Sequence, residues 1–180
     1  DGSAGSENDN LAVGYGALGG SISGGEFNVA IGNYALDANT SGDGNTGIGY
    51  NAMTALTTGD GNVSLGRASG TTITTGSNNT VIGKGSDVSA IGAENQVVIG
   101  QGATGQADNS VVLGNASVTA VYMAQDKGAT AYGATFEAST GVIPDAADGA
   151  YLGTTSAEFS DLFLADGSVI NLGNDQDVTV

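Results

Sequence analysis

Asn28-Val29-Ala30-Ile31-Gly32 returns seventeen residues later as Asn45-Thr46-Gly47-Ile48-Gly49, then as Asn62-Val63-Ser64-Leu65-Gly66 and Asn79-Thr80-Val81-Ile82-Gly83, each at the same step. Asn10-Leu11-Ala12-Val13-Gly14 precedes the series by eighteen. Within each core the apolar positions alternate, as at Val29 and Ile31 or Val63 and Leu65, which is the period of a β-strand. The closing glycine permits backbone conformations that other residues resist. Between the cores lie turn formers, Ser41-Gly42-Asp43-Gly44 and Thr58-Gly59-Asp60-Gly61. The spacing therefore reads as strand, corner, strand, corner. A unit this short cannot bury itself, so successive units must stack as parallel coils about 4.8 Å apart with like residues in ladders.

Beyond Gly83 the core recurs at shorter steps, as Ser89-Ala90-Ile91-Gly92, Val97-Val98-Ile99-Gly100 and Val111-Val112-Leu113-Gly114. The steps to Gly92 and Gly100 together equal one full unit, so residues 83–100 read as two half-units of one coil, with Gly114 opening a slightly shorter one. About seven coils make a rod on the order of 35 Å long. The expected fold is all-β, a parallel β-roll or solenoid over residues 1–124. Residues 125–148, rich in Ala, Gly and Thr around Pro144, read as a connector. Residues 149–180 read as a small C-terminal β-module, in which the alternation around Leu162, Leu164, Val169 and Leu172, broken by Asp166-Gly167, predicts a hairpin. Val178-Thr179-Val180 is strand-like, and more chain is expected to follow it.

Composition narrows the chemistry. The 180 residues include 32 Gly, one Pro, and no Trp, Cys or His. Disulfides are excluded, as are nucleophile–base pairs built on Cys or His, and a bound metal would have to be a hard cation held by oxygen. Arg67, Lys84 and Lys127 stand against nineteen acids for a net charge of −16, which repels phosphate backbones and anionic headgroups. Nucleic acid is not an expected partner, and no apolar run approaches the roughly 20 residues of a membrane-spanning helix. Acids are plentiful, but they sit mainly in Gly-rich corners, and the paired carboxylates beside a sugar cleft that glycoside hydrolysis needs are not evident. No catalytic residue and no organic cofactor is expected.

Four features invite functional readings beside structural ones. Stacking would set Asp43 over Asp60, where a calcium ion would relieve the charge, although Asp-Gly is also an ordinary turn. The asparagines opening the cores form either a polar binding ladder or internal partners for corner backbone groups. Tyr15, Tyr34 and Tyr50 form either an aromatic glycan-binding stripe or surface cover, and they shift by one place between units. Thr71-Thr72-Ile73-Thr74-Thr75 is either a solvent-facing β-prone excursion or a fragment of an ice-binding surface, which needs the run repeated on successive coils.

The cores Asn28-Val29-Ala30-Ile31-Gly32, Asn79-Thr80-Val81-Ile82-Gly83 and Asn109-Ser110-Val111-Val112-Leu113-Gly114 resemble the head repeats of YadA-type trimeric autotransporter adhesins, repeats that also occur in phage tail fibres. The resemblance covers roughly residues 10–121. It implies a left-handed parallel β-roll that associates as a homotrimer, with Val13, Ile31, Ile48, Leu65, Ile82, Ile91, Ile99 and Leu113 as core or interface positions. Tyr151-Leu152-Gly153-Thr154-Thr155-Ser156-Ala157-Glu158-Phe159 and the residues after it are similar to a segment frequent in tail-fibre and structural proteins of phages. Together these imply a virion tail fibre, extracellular, in contact with other tail proteins and with a host-surface glycan or protein receptor. A bacterial surface adhesin or extracellular filament is the alternative, and a metal- or ice-binding solenoid the third.

Overall fold

A computed structural model describes residues 9–121. The chain divides into two compact units, Asp1–Thr130 and Ala131–Val180, and every described residue belongs to the first. The expected boundary at residue 124, the connector 125–148 and the C-terminal module 149–180 lie outside the described residues.

Seven three-residue strands follow the repeat: β1 (Leu11–Val13), β2 (Val29–Ile31), β3 (Thr46–Ile48), β4 (Val63–Leu65), β5 (Thr80–Ile82), β6 (Val97–Ile99) and β7 (Val111–Leu113). They form one parallel sheet in sequence order. Equivalent residues pair directly, Val29 with Thr46, Ile48 with Leu65 and Ile82 with Ile99. The result is a β-solenoid of about six turns. Six steps between seven rungs give a height of about 29 Å, less than the 35 Å expected, because the outermost rungs bound the stack without adding a turn.

Two expectations are corrected. Each coil carries one strand rather than two. The Gly-, Thr- and Asp-rich segments between strands lack the apolar alternation that a second sheet would bury. They run as turns that hand backbone hydrogen bonds from coil to coil, as where the Thr40, Thr57 and Thr74 N–H groups donate to the Thr57, Thr74 and Ile91 carbonyls, each at 2.9 Å. In consequence Ser89-Ala90-Ile91-Gly92 is no half-unit strand but part of a bend and turn, and Ile91 is 64% exposed. The coil from Gly83 to Gly100 is nonetheless one coil, as its seventeen residues required.

The interior is narrow, which decides what points inward. The middle residue of each strand from β2 to β6 does so, and none is larger than valine: Ala30, Gly47, Ser64, Val81 and Val98 are all buried. Larger apolar residues come from the turns, with Leu36, Met53, Leu56 and Ile73 fully buried. Volumes compensate across the coil. A Cβ added at Gly47 would lie 3.1 Å from the Leu36 Cγ, so the missing side chain makes room for that leucine.

Beside this core runs a ladder of buried amides, Asn28, Asn45, Asn62, Asn79 and Gln96. Asn28, Asn45 and Asn62 each receive two bonds from the next rung, and Asn79 receives one, from the Gln96 N–H. The Asn62 N–H and Nδ2 donate to the Asn45 Oδ1 at 2.9 and 3.0 Å, while Nδ2 also donates to the Gly76 carbonyl at 2.8 Å. The amide column thus satisfies corner backbone groups inside the coil, and among the described residues no buried side-chain N or O lacks a partner.

Candidate functional surface

Alternation along a three-residue strand sends the two flanking residues to the side opposite the middle one. Because the small middle residue faces in, the branched aliphatic residues face out. One outward column reads Val13, Ile31, Ile48, Leu65, Ile82, Ile99 and Leu113. Its neighbour reads Leu11, Val29, Thr46, Val63, Thr80, Val97 and Val111. Val13, Leu65, Ile99 and Leu113 are 53, 45, 39 and 50% exposed. One apolar column, partly covered at Ile31, Ile48 and Ile82, therefore runs the height of the stack beside a second that is apolar except at Thr46 and Thr80. Of the eight positions taken as core or interface, seven stand in the first column rather than in the interior, and Ile91 lies in a turn.

The acidic corners stack as the spacing predicted. The Asp43 Oδ1 accepts from the Glu26 N–H and the Asp60 Oδ1 from the Asp43 N–H, both at 2.8 Å, while the Asp60 N–H donates to the Ser77 Oγ at 3.1 Å. Each carboxylate occupies itself with a backbone donor of the coil before it. Among the described residues no three His, Cys, Asp or Glu side chains gather where they could hold a metal ion. Asp60→Ala is expected to lower stability by about 1 kcal/mol, the net worth of one such exposed hydrogen bond, read as a small fall in Tm.

The threonine run is drawn into the stack. Thr71 Oγ1 and Thr72 Oγ1 donate to the Asp87 Oδ2 at 2.9 and 2.8 Å, so Asp87 staples a turn across two coils. Thr40, Thr57 and Thr74 form a column seventeen residues apart that sequence reading missed, having looked for repeated runs rather than for repeated phase. The Thr40 and Thr57 hydroxyls donate to the carbonyl one coil on, at 3.0 and 3.1 Å.

A second column climbs the corner just after the sheet. The residues following the stacked glycines are Tyr15, Asn33, Tyr50, Arg67, Lys84 and Gln101. From Tyr15 to Lys84 their carbonyls take the N–H of the second residue past the glycine in the next coil, as Tyr34 to Tyr15 at 2.9 Å, Ala68 to Tyr50 at 2.8 Å and Gly85 to Arg67 at 3.0 Å, while the Gln101 carbonyl accepts from the Asn115 Nδ2 at 2.7 Å. The one-place shift of Tyr34 does not break the aromatic row. Its ring stands edge-to-face against Tyr15, centroids 5.4 Å apart at 85°, and against Tyr50 at 6.3 Å and 87°. A cleft of about 400 Å³ opens beside it, lined by Tyr15, Gly16, Gly19, Tyr34 and Asp37.

No protein-family model matches the chain, and neither a curated protein nor a solved structure matches it.

Proposed function

We propose that this chain is a structural segment of a phage tail fibre, in which three copies of a left-handed β-solenoid pack in parallel about a common axis and carry attachment to a host surface. The observation that carries the reading is the outward apolar column. Contiguous exposed apolar surface on a soluble chain marks an interface, and this one repeats with the rise of the coils. Three parallel copies would bring equivalent rungs together as layers, each Ile or Leu closing on its counterparts. Burying what remains exposed of a half-covered Ile or Leu contributes about 1 kcal/mol, so a full column stabilises the assembly by several. The work of such a segment is mechanical: length and stiffness, with every weak surface contact presented three times for avidity. The similarity of the C-terminal sequence to phage structural proteins favours the virion over a bacterial adhesin.

Light scattering tests the assembly. The expected solution mass is near three times 17.4 kDa, and a stable monomer would sink the reading. In a Leu65→Asp, Ile99→Asp variant the charges replace outward side chains and leave the coil interior untouched. Its mass is expected to fall toward that of one chain while its far-ultraviolet circular dichroism stays that of the parent.

A further inference from the structure

The aromatic row and the cations share one edge, and neither is explained by the coil. Tyr15 is 72% exposed and Tyr50 48%, too much for packing to be their purpose. Tyr34 sits at φ 60°, a left-handed conformation that bulky residues resist and that the equivalent positions of neighbouring coils fill with Gly16 and Asn51. The order Asn33-Tyr34, reversed relative to Tyr50-Asn51, is what places the ring between its neighbours. Gly16 makes the room, since a Cβ there would lie 2.9 Å from the Tyr34 ring. Left-handed backbone recurs at Ala68 in the equivalent position and at Leu18, Leu36 and Met53 two residues further on, so the conformation belongs to the coil; what sets Tyr34 apart is an exposed ring held in line with two others.

Directly along the same column come Arg67 and Lys84, both exposed, on consecutive coils. They are two of only three cations in a chain of net charge −16. From Tyr15 to Lys84 the column spans four coil steps, about 19 Å. One end is therefore apolar and aromatic with the Asp37 carboxylate at its cleft, and the other end is cationic.

We propose that this edge is a binding track for an acidic oligosaccharide. Sugar rings lie with their C–H faces on Tyr15, Tyr34 and Tyr50, while the carboxylate or sulfate of a sugar further along pairs with Arg67 and Lys84. Single-stranded nucleic acid is also held by aromatic rings and cations. It would, however, carry a phosphate at every residue, including those set against the uncharged rings and the Asp37 cleft. A glycan with acid groups on only some of its sugars places charge where the cations are and none where the rings are. The track rests on the surface-attachment part of the proposed function and not on the assembly of three copies.

The test titrates the full chain with short oligosaccharides of hyaluronan, of unsulfated chondroitin and of gellan, with chitin oligosaccharide and oligothymidylate alongside, by calorimetry and tyrosine fluorescence. At least one acidic oligosaccharide is expected to bind, more weakly as salt is raised, and to bind more tightly than the uncharged chitin chain. Tyr34→Asn is expected to weaken binding roughly five- to tenfold while leaving Tm unchanged or higher, because Asn accepts the left-handed conformation. Arg67→Gln is expected to weaken it about tenfold or more and to flatten the salt dependence. Failure of all three acidic probes, preference for oligothymidylate, or indifference to both substitutions would overturn the proposal. The light-scattering mass of the same samples reports on assembly separately, so a chain that forms trimers but binds none of these sugars, or a monomer that binds one, tells the two readings apart.

Discussion

Gly49→Ala is expected to cost about 3 kcal/mol or more and, at physiological temperature, to leave much of the solenoid unfolded. Gly49 has φ 137°, where a side chain is strained whatever space surrounds it, and here there is no space. An added Cβ would lie 2.3 Å from the Gly66 carbonyl oxygen and 2.6 Å from its carbon. Those atoms belong to the backbone of the next coil and cannot swing aside as a side-chain tip would. Gly32 faces Gly49 in the same way and Gly66 faces Gly83, with clearances of 2.5 Å to the carbonyl oxygen in both. The column of glycines is what lets coils approach to the spacing of a parallel sheet, and one methyl group must push two coils apart and break the ladder bonds around it. Chemical denaturation monitored by circular dichroism reads the loss, and a variant within 1 kcal/mol of the parent would show the stack to be far softer than this geometry implies.

Asn62→Leu, nearly the same in volume, is expected to destabilise by about 4 kcal/mol, through polar groups stranded on both sides. The Gly76 carbonyl loses the Asn62 Nδ2. The Asn79 N–H and Nδ2, which donate to the Asn62 Oδ1 at 3.0 Å each, lose that shared acceptor. A leucine offers nothing to any of them, and no water reaches a residue with 0% exposure. Asn62→Asp separates polarity from charge. Burial without a cation disfavours the ionised carboxylate, so the folded-state pKa of the new Asp lies above its unfolded value. The protonated form keeps a donor for the Gly76 carbonyl. Stability in this variant is therefore highest below the unfolded pKa of about 4 and is lost as pH rises through the folded one. A variant whose stability does not fall over that rise would mean that the ladder is wet.

The period was the legible part. Steps of seventeen between Gly32, Gly49, Gly66 and Gly83 pair Val29 with Thr46 and Ile48 with Leu65, and the register follows them. What alternation could not say was which side of the strand faces in. Size would have put Ile48 inside and Gly47 outside, but the coil is too thin for that, and turn residues such as Met53 and Leu56 already fill it. The absence of a strand at Ile91 is also legible in the sequence. Four residues before the glycine of every core from β1 to β5 stands an asparagine, and before Gly100 stands Gln96, whose N–H donates to the Asn79 Oδ1 at 3.0 Å. Before Gly92 stands Val88, which cannot continue the amide ladder. An amide four residues before the glycine marks the coils of β1 to β6 better than an Ile next to it does, and the ladder ends at β7, where Ser110 takes that place. The aromatic row was hidden for another reason. Counting positions after the glycine sets Tyr34 out of line, and only its left-handed backbone swings the ring back between Tyr15 and Tyr50.

Every ladder bond in this stack points along its axis, which has a bearing on how the segment carries load. Tension applied end to end falls on all the bonds joining two neighbouring coils at once, while the successive junctions bear the same force in series. The segment then yields at its most sparsely tied junction. The coil between Gly100 and Gly114 is three residues shorter than the standard unit. Gly100, too, approaches the backbone of Gly114 at its N and Cα instead of at the carbonyl used in the junctions before it. The last junction, where Val97 N–H reaches Ser110 and Gly114 N–H reaches Ile99, is thus the natural fuse: pulled hard, the stack sheds β7 first and keeps the coils below it closed.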